Sequence, residues 1–364
     1  MTASIDVKSS SGVYPYTVGL SILEEKLSAY RQKKPFDSCF LFVDENVWNF
    51  HQDRIIQAFD ELGVSYSYDI IASGEQSKSI GKWQSLLDSL LTSGVRRNTP
   101  LFAIGGGVTG DLSGFVASSA LRGIPLVHIP TTLLAMVDSS IGGKTGVNHT
   151  AGKNLVGAFY QPDEIIADTD FLKTLPHRDW TNGLSEILKY GAIEDSSIFS
   201  ACELFHDVEP GGDIPEGLNE LILRCAQIKA DIVAADEFES GTRAFLNFGH
   251  TFAHALEKVS GYDKLNHGEA VYLGMLAAIT LSNEMGASID DNPLRQFRPL
   301  YTFRVRENML PEAKLFDIMK SDKKVIDDSL RFVLLKSWQQ PVVMSVKDHQ
   351  SIQKAWRTVY RELP

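Results

Sequence analysis

Short apolar runs alternate with amphipathic stretches through the first half of the chain. The runs CFLFV (39–43), SYDIIA (67–72) and LFAI (101–104) are each followed by a helical pattern or a glycine turn, and PLVHIP (125–130) and EIIAD (164–168) continue the series. This order predicts an α/β domain whose mostly parallel sheet is covered on both faces.

After about residue 176 the β signal fades and helical periodicity takes over, apart from LRFVLL (330–335), which could form a strand. A chain of 364 residues also exceeds what one hydrophobic core usually organises. We therefore predict two domains, an α/β domain over 1–176 and a mainly α-helical domain over 177–364.

Composition excludes several classes of protein. With 43% apolar and 22% charged residues the chain is typical of a globular protein, and its net charge of −11 argues against nucleic-acid or anionic-membrane partners. Cys39, Cys202 and Cys225 lack metal or disulfide spacing, and neither a signal-peptide pattern nor an apolar run long enough to cross a bilayer is present. These features predict a cytoplasmic protein without a membrane segment.

A glycine pattern, Gly105-x-Gly107-x-x-Gly110, directly follows the apolar run LFAI. Glycines there let backbone N–H groups approach a pyrophosphate, so the pattern favours a Rossmann-like dinucleotide site, although three glycines can also form only a tight turn. No acid follows about 20 residues later. We expect Asp44, at the end of CFLFVD, to hold the ribose instead.

The segment from Arg122 to Gln161 is dense in small residues, hydroxyls and isolated charges and lacks helical periodicity. Long loops of this kind are usually functional. Lys144 and Lys153 follow small residues and suit an anionic ligand, although two solvated lysines on a surface loop are at least as common for such a pair taken alone.

His250 and His254 are spaced to share one face of a helix, as are Glu186 and Lys189. His267 is a third histidine in this part of the chain. Two of the three imidazoles and the Glu186 carboxylate would suit Zn²⁺ or Co²⁺ and leave a coordination position open for substrate. Spacing alone favours His250 and His254 as joint ligands, but the chain lacks the HExxH pattern of zinc peptidases.

Glu239, Arg243 and Asn247 precede these histidines at intervals of four. If the segment is one helix, all five residues form a continuous polar stripe. A stripe of this kind is more typical of a site than of a core, because buried charges are costly unless they are paired or used.

The segments that carry these motifs resemble the 3-dehydroquinate synthase family. The matching stretches are GGGVTGDLSGF, LRGIPLVHIPTTLLAMVDSSIGGKTGVNHTAGKNLVGAFYQP, TLPHRDWTNGLSEILKYG, KADIVAADEFESGTRAFLNFGHTFAHALE, LNHGEAV and DKKV. They extend over most of the chain between Asp44 and Val325, in the family's order and with closely matching spacing.

The resemblance implies that Glu186, His250 and His267 hold Zn²⁺ (or Co²⁺), whereas His254 contacts the substrate phosphate or a catalytic proton. It also implies NAD as a cofactor. The implied NAD contacts are Asp44, Glu75, Lys78, Gly105, Gly106, Gly107, Val108, Asp111, Thr131, Thr132, Asp138, Lys144, Lys153 and Thr174.

The resemblance further implies a substrate with a phosphate and a carboxylate. Its implied contacts are Lys144, Asn154, Asn247 and His254 for the phosphate, Lys229 and Arg243 for the carboxylate, and Lys189, Lys323 or Lys324, and Arg122 from the neighbouring subunit of a homodimer. The implied catalytic residues are Asp138, Lys144, Lys189, Glu239, Asn247 and His254.

The implied reaction, part of the shikimate pathway to aromatic amino acids, converts 3-deoxy-D-arabino-heptulosonate 7-phosphate into 3-dehydroquinate and phosphate. Three alternatives are a sister sugar phosphate cyclase, a metal- and NAD-dependent alcohol dehydrogenase, and a dinucleotide-binding protein without catalysis. Retention of Lys229, Arg243 and Asn247 argues against a sister cyclase, whose substrate lacks the carboxylate.

Overall fold

The computed structural model describes residues 2–209, 211–239, 241–261, 264–322 and 329–364. Its strands are β1 (Ala3–Ser9), β2 (Gly12–Gly19), β3 (Ser38–Asp44), β4 (Ser65–Ile71), β5 (Leu101–Gly105), β6 (Leu126–Pro130), β7 (Lys144–His149), β8 (Gly152–Phe159), β9 (Glu164–Asp168), β10 (Leu330–Leu335) and β11 (Pro341–Val346). Its α-helices are α1 (Leu23–Lys33), α2 (Glu45–Glu61), α3 (Ile80–Thr92), α4 (Gly107–Ser119), α5 (His177–Ile193), α6 (Ser197–Ala201), α7 (Leu218–Ala235), α8 (His250–Ser260), α9 (His267–Glu284), α10 (Asn292–Arg295), α11 (Glu312–Asp322) and α12 (His349–Glu362).

Within the described residues, the main sheet has seven strands in the order β1-β2-β9-β6-β5-β3-β4. Only the β1–β2 pair is antiparallel within it, so the predicted mostly parallel sheet is confirmed. Every residue of β5, β6 and β9 is buried, as central strands covered on both faces require. LRFVLL forms β10, which pairs with β11.

Part of the predicted functional loop is instead an antiparallel hairpin, β7–β8. Glycines weaken the strand signal there, and the hairpin requires them. Gly146 lies opposite Gly157, and a Cβ atom on Gly157 would come within 2.0 Å of the Thr145 carbonyl oxygen. The close approach of the two backbones therefore explains why this sequence looks like a loop.

The chain forms two compact units, and their composition differs from the predicted domains. The first contains the chain up to Pro176 and also Val208–Glu237; the second contains His177–Asp207 and the chain from Phe238 onward. One division falls after Pro176, and 208–237 belong with the first unit because α7 packs against β1 and β2. Helical periodicity alone does not reveal which core a helix covers.

The second unit is built around α9, which packs against α5, α8, α12 and β10. Residues 268–279 of this helix are all buried, so it is apolar on all sides rather than amphipathic. In the part of the chain that the structure describes, no helix is both long enough and apolar enough to cross a bilayer.

Candidate metal centre and cofactor loop

Three helices of the second unit carry the predicted metal ligands. Glu186 and Lys189 lie on one face of α5 and are buried, His250 begins α8, and His267 begins α9. Gly249 precedes α8 with φ +80°, and a Cβ on it would lie 2.8 Å from the Met275 side chain. Glycine thus allows the start of α8 to contact α9 directly.

The first turn of α9 is fixed by a capping box. The Asn266 side chain accepts from the N–H of Glu269 at 2.8 Å, and the Glu269 carboxylate accepts from the N–H of Asn266 at 2.9 Å. Arg178 of α5 donates two bonds, at 2.8 and 2.7 Å, to the same carboxylate. This clamp fixes His267 relative to the helix that carries Glu186.

Ligand atoms from the three predicted residues converge. Nε2 of His267 lies 3.1 Å and Nε2 of His250 lies 3.4 Å from Oε1 of Glu186. A tetrahedral ion with zinc-like bonds of about 2.0–2.1 Å separates its ligand atoms by about 3.3 Å, so the spacing fits such an ion. Among the described residues, Glu186, His250 and His267 form the group whose ligand atoms lie within 4.8 Å of one another.

The outer nitrogens of the two rings have partners of their own. Nδ1 of His250 is 3.1 Å from the Phe248 carbonyl oxygen, and Nδ1 of His267 is 3.5 Å from Oε1 of Glu257. Since a carbonyl or carboxylate oxygen can only accept, Nδ1 carries the proton in each ring when the imidazole is neutral. Nε2 of both rings is then left with a lone pair that can bind a cation.

The electrostatics of this group favour a carboxylate ligand. Burial alone would raise the pKa of Glu186, but Lys189, whose Nζ contacts Oε2, and His250 outweigh it and hold the pKa well below its usual range. Burial lowers the pKa of His250. For His267 burial acts in the same direction, but hydrogen bonds to Glu186 and Glu257 overcome it and raise the pKa to about 10.

The expectation that His254 joins the metal ligands is not supported by the geometry. His254 is exposed on α8, its ring centroid is 5.7 Å from that of His250, and it is outside the described ligand cluster. Glu186 and His267 approach His250 from other helices and complete the group instead.

The predicted continuous polar helix is wrong. Thr242–Asn247 form a separate 3₁₀ helix. Gly249, the N-cap residue of α8, lies between this helix and α8. Asn247 nevertheless contacts Glu239, with Nδ2 donating to Oε1 at 2.8 Å, and Arg243 is buried. Spacing therefore identified polar residues that lie together locally but assigned them to the wrong element.

In the first unit, the glycine pattern has the predicted strand, turn and helix context. β5 ends at Gly105, and α4 begins at Gly107 and includes Val108, with Gly106 as its N-cap. A Cβ on Gly106 would lie 3.0 Å from the Thr132 side chain, and the Thr131 N–H donates to the Gly105 carbonyl at 3.0 Å. The turn is thus tight, and the amide groups of its helix terminus suit an anion.

Asp44 occupies the carboxyl end of β3, as predicted, and it also caps α2. Its Oδ1 accepts from the Asn46 N–H at 2.9 Å, the Val47 N–H at 3.3 Å and the Ser73 hydroxyl at 2.8 Å. The capping role fixes the orientation of this carboxylate at the edge where ligands of parallel sheets bind.

The predicted cofactor residues Glu75, Lys78, Asp111 and Lys153 are joined by ionic contacts. Lys78 contacts Asp111 of α4, and Lys153 Nζ lies 3.9 Å from Oε1 of Glu75. Burial raises the pKa of Asp111, although Lys78 opposes this shift. Lys78, itself buried, ties the segment after β4 to the first helical turns after the glycine loop.

Asn148 is a structural link that the sequence analysis did not single out. Its Nδ2 donates to Glu75 at 2.7 Å, and its Oδ1 accepts from the Asn154 N–H at 3.0 Å. Asn154 has φ +55°, an uncommon value outside glycine. The sequence signal available for this role was the amide side chain of Asn148, which can donate one hydrogen bond and accept another.

In the first unit, the buried Lys229 pairs with the partly buried Asp138. Lys229 Nζ, on α7, lies 2.8 Å from Oδ1 of Asp138 and also bonds the Asp138 carbonyl. Asp138 lies on a π-helical turn, Ala135–Ser139, where the hydroxyl of Tyr16 donates to the Met136 carbonyl at 2.8 Å. π turns of this kind are frequent at functional sites.

Three other predicted residues belong to the first unit. Lys144 is exposed at the start of β7, Thr174 is bonded to His51 at 2.7 Å, and Arg122 is exposed with φ +66°. Lys323 and Lys324 lie outside the described residues.

Comparison with known proteins matches both halves of the chain. The family model "3-dehydroquinate synthase N-terminal" covers residues 69–182, and "3-dehydroquinate synthase C-terminal" covers 183–325. A 3-dehydroquinate synthase from Salinibacter ruber is 40% identical over 320 residues, which are 88% of this chain and 87% of the relative.

Two solved structures share the fold at 25% identity. One is 2-epi-5-epi-valiolone synthase from Streptomyces hygroscopicus with NAD⁺ and Zn²⁺ bound, with a TM-score of 0.86 over 98% of both chains. The other is 2-deoxy-scyllo-inosose synthase complexed with carbaglucose-6-phosphate, NAD⁺ and Co²⁺, with a TM-score of 0.83 over 99% of both chains. The chain belongs to the 3-dehydroquinate synthase family, and the family, fold class and enzyme function predicted from its sequence are confirmed.

Proposed function

We propose that this enzyme converts 3-deoxy-D-arabino-heptulosonate 7-phosphate into 3-dehydroquinate and phosphate, with NAD and a divalent ion as cofactors. The observation that carries the proposal is the convergence of two imidazole Nε2 atoms, from His250 and His267, on the buried carboxylate of Glu186. The name of a relative supports this reaction, and the NAD⁺ and metal bound in two similar structures support the cofactors.

Glu186, His250 and His267 would hold Zn²⁺ or Co²⁺. When bound, the ion would supply Lewis-acid chemistry that acidifies the hydroxyl of the carbon to be oxidised. Lys189 is anchored to the other oxygen of Glu186, so its ammonium is fixed beside the centre and can hydrogen-bond a substrate hydroxyl without first being ordered.

The Gly105–Asp111 segment would bind the NAD pyrophosphate, and Asp44 would orient the ribose. When bound, NAD would supply reversible hydride transfer, so the overall reaction would involve no net oxidation. The other proposed cofactor contacts are Glu75, Lys78, Thr131, Thr132, Asp138, Lys144, Lys153 and Thr174.

The proposed substrate contacts supply fixed cations and amides for two anionic groups. Lys229 is a contact for the carboxylate, and since it already bonds Asp138 it would share its protons between two carboxylates. Arg243 is the second contact for the carboxylate; Lys144, Asn154, Asn247 and His254 would hold the phosphate, with Lys323 or Lys324 beside them. Glu239 would orient Asn247 through its 2.8 Å hydrogen bond.

Two further proposals concern assembly and location. We propose a cytoplasmic homodimer in which Arg122 reaches the phosphate in the neighbouring subunit. Leu121 and Arg122 both have positive φ, 51° and 66°, and strained backbone at non-glycine residues is frequent where a side chain must be presented to a ligand.

One incubation tests the function. The purified protein, with zinc, a catalytic amount of NAD and the heptulosonate phosphate, is expected to release phosphate and form 3-dehydroquinate without accumulating NADH. Conversion of the added NAD into NADH, without phosphate release, would instead identify an alcohol dehydrogenase. Turnover of a phosphorylated sugar without a carboxylate, in place of the heptulosonate, would identify a sister cyclase.

A further inference from the structure

The carboxylate of Glu257 lies beside the proposed metal centre without belonging to its ligand group. Glu257 is on α8, seven positions after His250, and its side chain is 9% exposed. Its Oε1 is 3.5 Å from Nδ1 of His267, whereas Nε2 of the same ring is 3.1 Å from Glu186. The two ring nitrogens of His267 therefore face two different carboxylates.

This geometry separates Glu257 from the ion that Glu186 would bind. Nδ1 and Nε2 diverge from the imidazole ring, so an acceptor on Nδ1 does not point at a cation on Nε2. Glu257 also lies outside the ligand cluster found among the described residues. Its contact with His267 is therefore the route by which it can influence the ion without binding it.

A carboxylate in that position has two effects on a histidine ligand. By accepting the Nδ1 proton it keeps the lone pair on Nε2 and fixes the plane of the ring. Its negative charge also makes the imidazole a stronger donor than a neutral acceptor would. His250 offers the internal comparison, because its Nδ1 faces the carbonyl oxygen of Phe248.

We propose that Glu257 is a positioning residue that sets the tautomer, orientation and basicity of His267 and thereby strengthens metal binding. The inference deepens the proposed function and rests on it in one respect, since it requires that His267 bind a metal ion. It adds a residue on α8 to a centre whose ligands come from α5, α8 and α9.

The proposed role of Glu257 is tested by the zinc affinity of the full-length, metal-stripped protein. Competition with a chromophoric chelator measures this affinity. Glu257→Gln keeps an acceptor but loses the charge, and is expected to weaken zinc binding about 10-fold; Glu257→Met loses both, and is expected to weaken it about 100-fold. The visible absorption of bound Co²⁺ should shift in both variants, which a role in packing alone would not produce.

Glu362→Gln is the matched control. Glu362 has the same exposed fraction, 9%, lies in the same unit and bonds Arg295 and Arg298. Wild-type affinity is expected for this control. Equal loss in Glu362→Gln and Glu257→Gln, or wild-type affinity and an unchanged cobalt spectrum in Glu257→Gln, would overturn the proposal, and the Gln variant decides even if Glu257→Met does not fold.

Failure of the proposed function has a different signature. The wild-type protein would then bind zinc but form no 3-dehydroquinate, while the zinc affinities of the Glu257 variants would still fall in the expected order. A wild-type protein that binds no zinc would overturn the role of Glu257 as well.

Discussion

Nε2 of His267 lies 3.1 Å from Oε1 of Glu186, although 81 positions separate the two residues in the chain. The same two helices are joined near this contact by Arg178 of α5 and Glu269 of α9. Since Glu269 also closes the capping box at the start of α9, one carboxylate fixes both the helix terminus and its distance from α5.

Arg178→Ala should therefore lower the free energy of unfolding. It leaves Glu269, 1% exposed, without its cationic partner, and a buried charge left without its partner costs about 3 kcal/mol. Urea unfolding of wild type and variant measures the change. Lys354→Ala, which breaks a surface pair with Glu284, is the control and should cost less than about 1 kcal/mol. Equal losses in the two variants would contradict a special role for the clamp.

His250→Ala and His254→Ala should differ in whether the protein retains bound metal. His250 presents Nε2 to Glu186 at 3.4 Å, whereas His254 is exposed and outside the ligand cluster. We expect His250→Ala to lose the stoichiometric metal, and His254→Ala to retain it with a reduced turnover number. Elemental analysis of the purified variants decides between them, and equal loss in both would restore the interpretation based on spacing.

The sheet could be predicted because its central strands are short, continuous apolar runs, of which LFAI in β5 is an example. β1 and β2 were not predicted, and β7 and β8 were read as a loop. In the hairpin, the glycines that permit the close backbone approach at Gly157 are the same residues that argue against a strand. Local pattern cannot distinguish these two uses of glycine.

In the candidate site, too, the sequence predicts the local relations between residues but not those that the fold creates. Helical spacing correctly placed Glu186 and Lys189 on one face of α5, because that relation is local. Spacing also paired His250 with His254, and there the geometry disagrees, since the partners of His250 come from α5 and α9. Glu257 and Asn148 were missed because their roles depend on contacts that only the fold creates.

His128 should make the stability of the metal-free protein depend on pH. Burial lowers the pKa of His128 to about 4, from 6.5 for a histidine exposed to water, as it is in the unfolded chain. Below pH 6.5 the unfolded chain therefore binds a proton that the folded protein refuses, and the free energy of unfolding falls as the pH drops towards 4. The stability that neutral His128 contributes above pH 6.5 is lost progressively as the pH falls from 6.5 to about 4.

Between pH 8 and pH 5 this one group should remove about 2 kcal/mol. His128→Gln cannot take up the proton. Between pH 8 and pH 5 its free energy of unfolding should therefore fall by about 2 kcal/mol less than that of the wild type. Urea unfolding at the two pH values measures both proteins, and the comparison cancels the other titrating groups. Equal losses in wild type and variant would show that His128 is not a buried neutral histidine.

Mixing two inactive variants tests the proposed role of Arg122 across a homodimer. Arg122→Ala is expected to lack the cation for the neighbouring site, and Glu186→Ala is expected to lack metal in its own. In a mixed dimer one site has the metal ligands of the first subunit and Arg122 of the second. Random reassortment should then restore about one quarter of wild-type activity, because half the dimers are mixed and each has one intact site. Full activity of Arg122→Ala alone, or a mixture no more active than its parents, would contradict a contribution from the partner subunit, since an Arg122 that acts within its own chain cannot be replaced in this way.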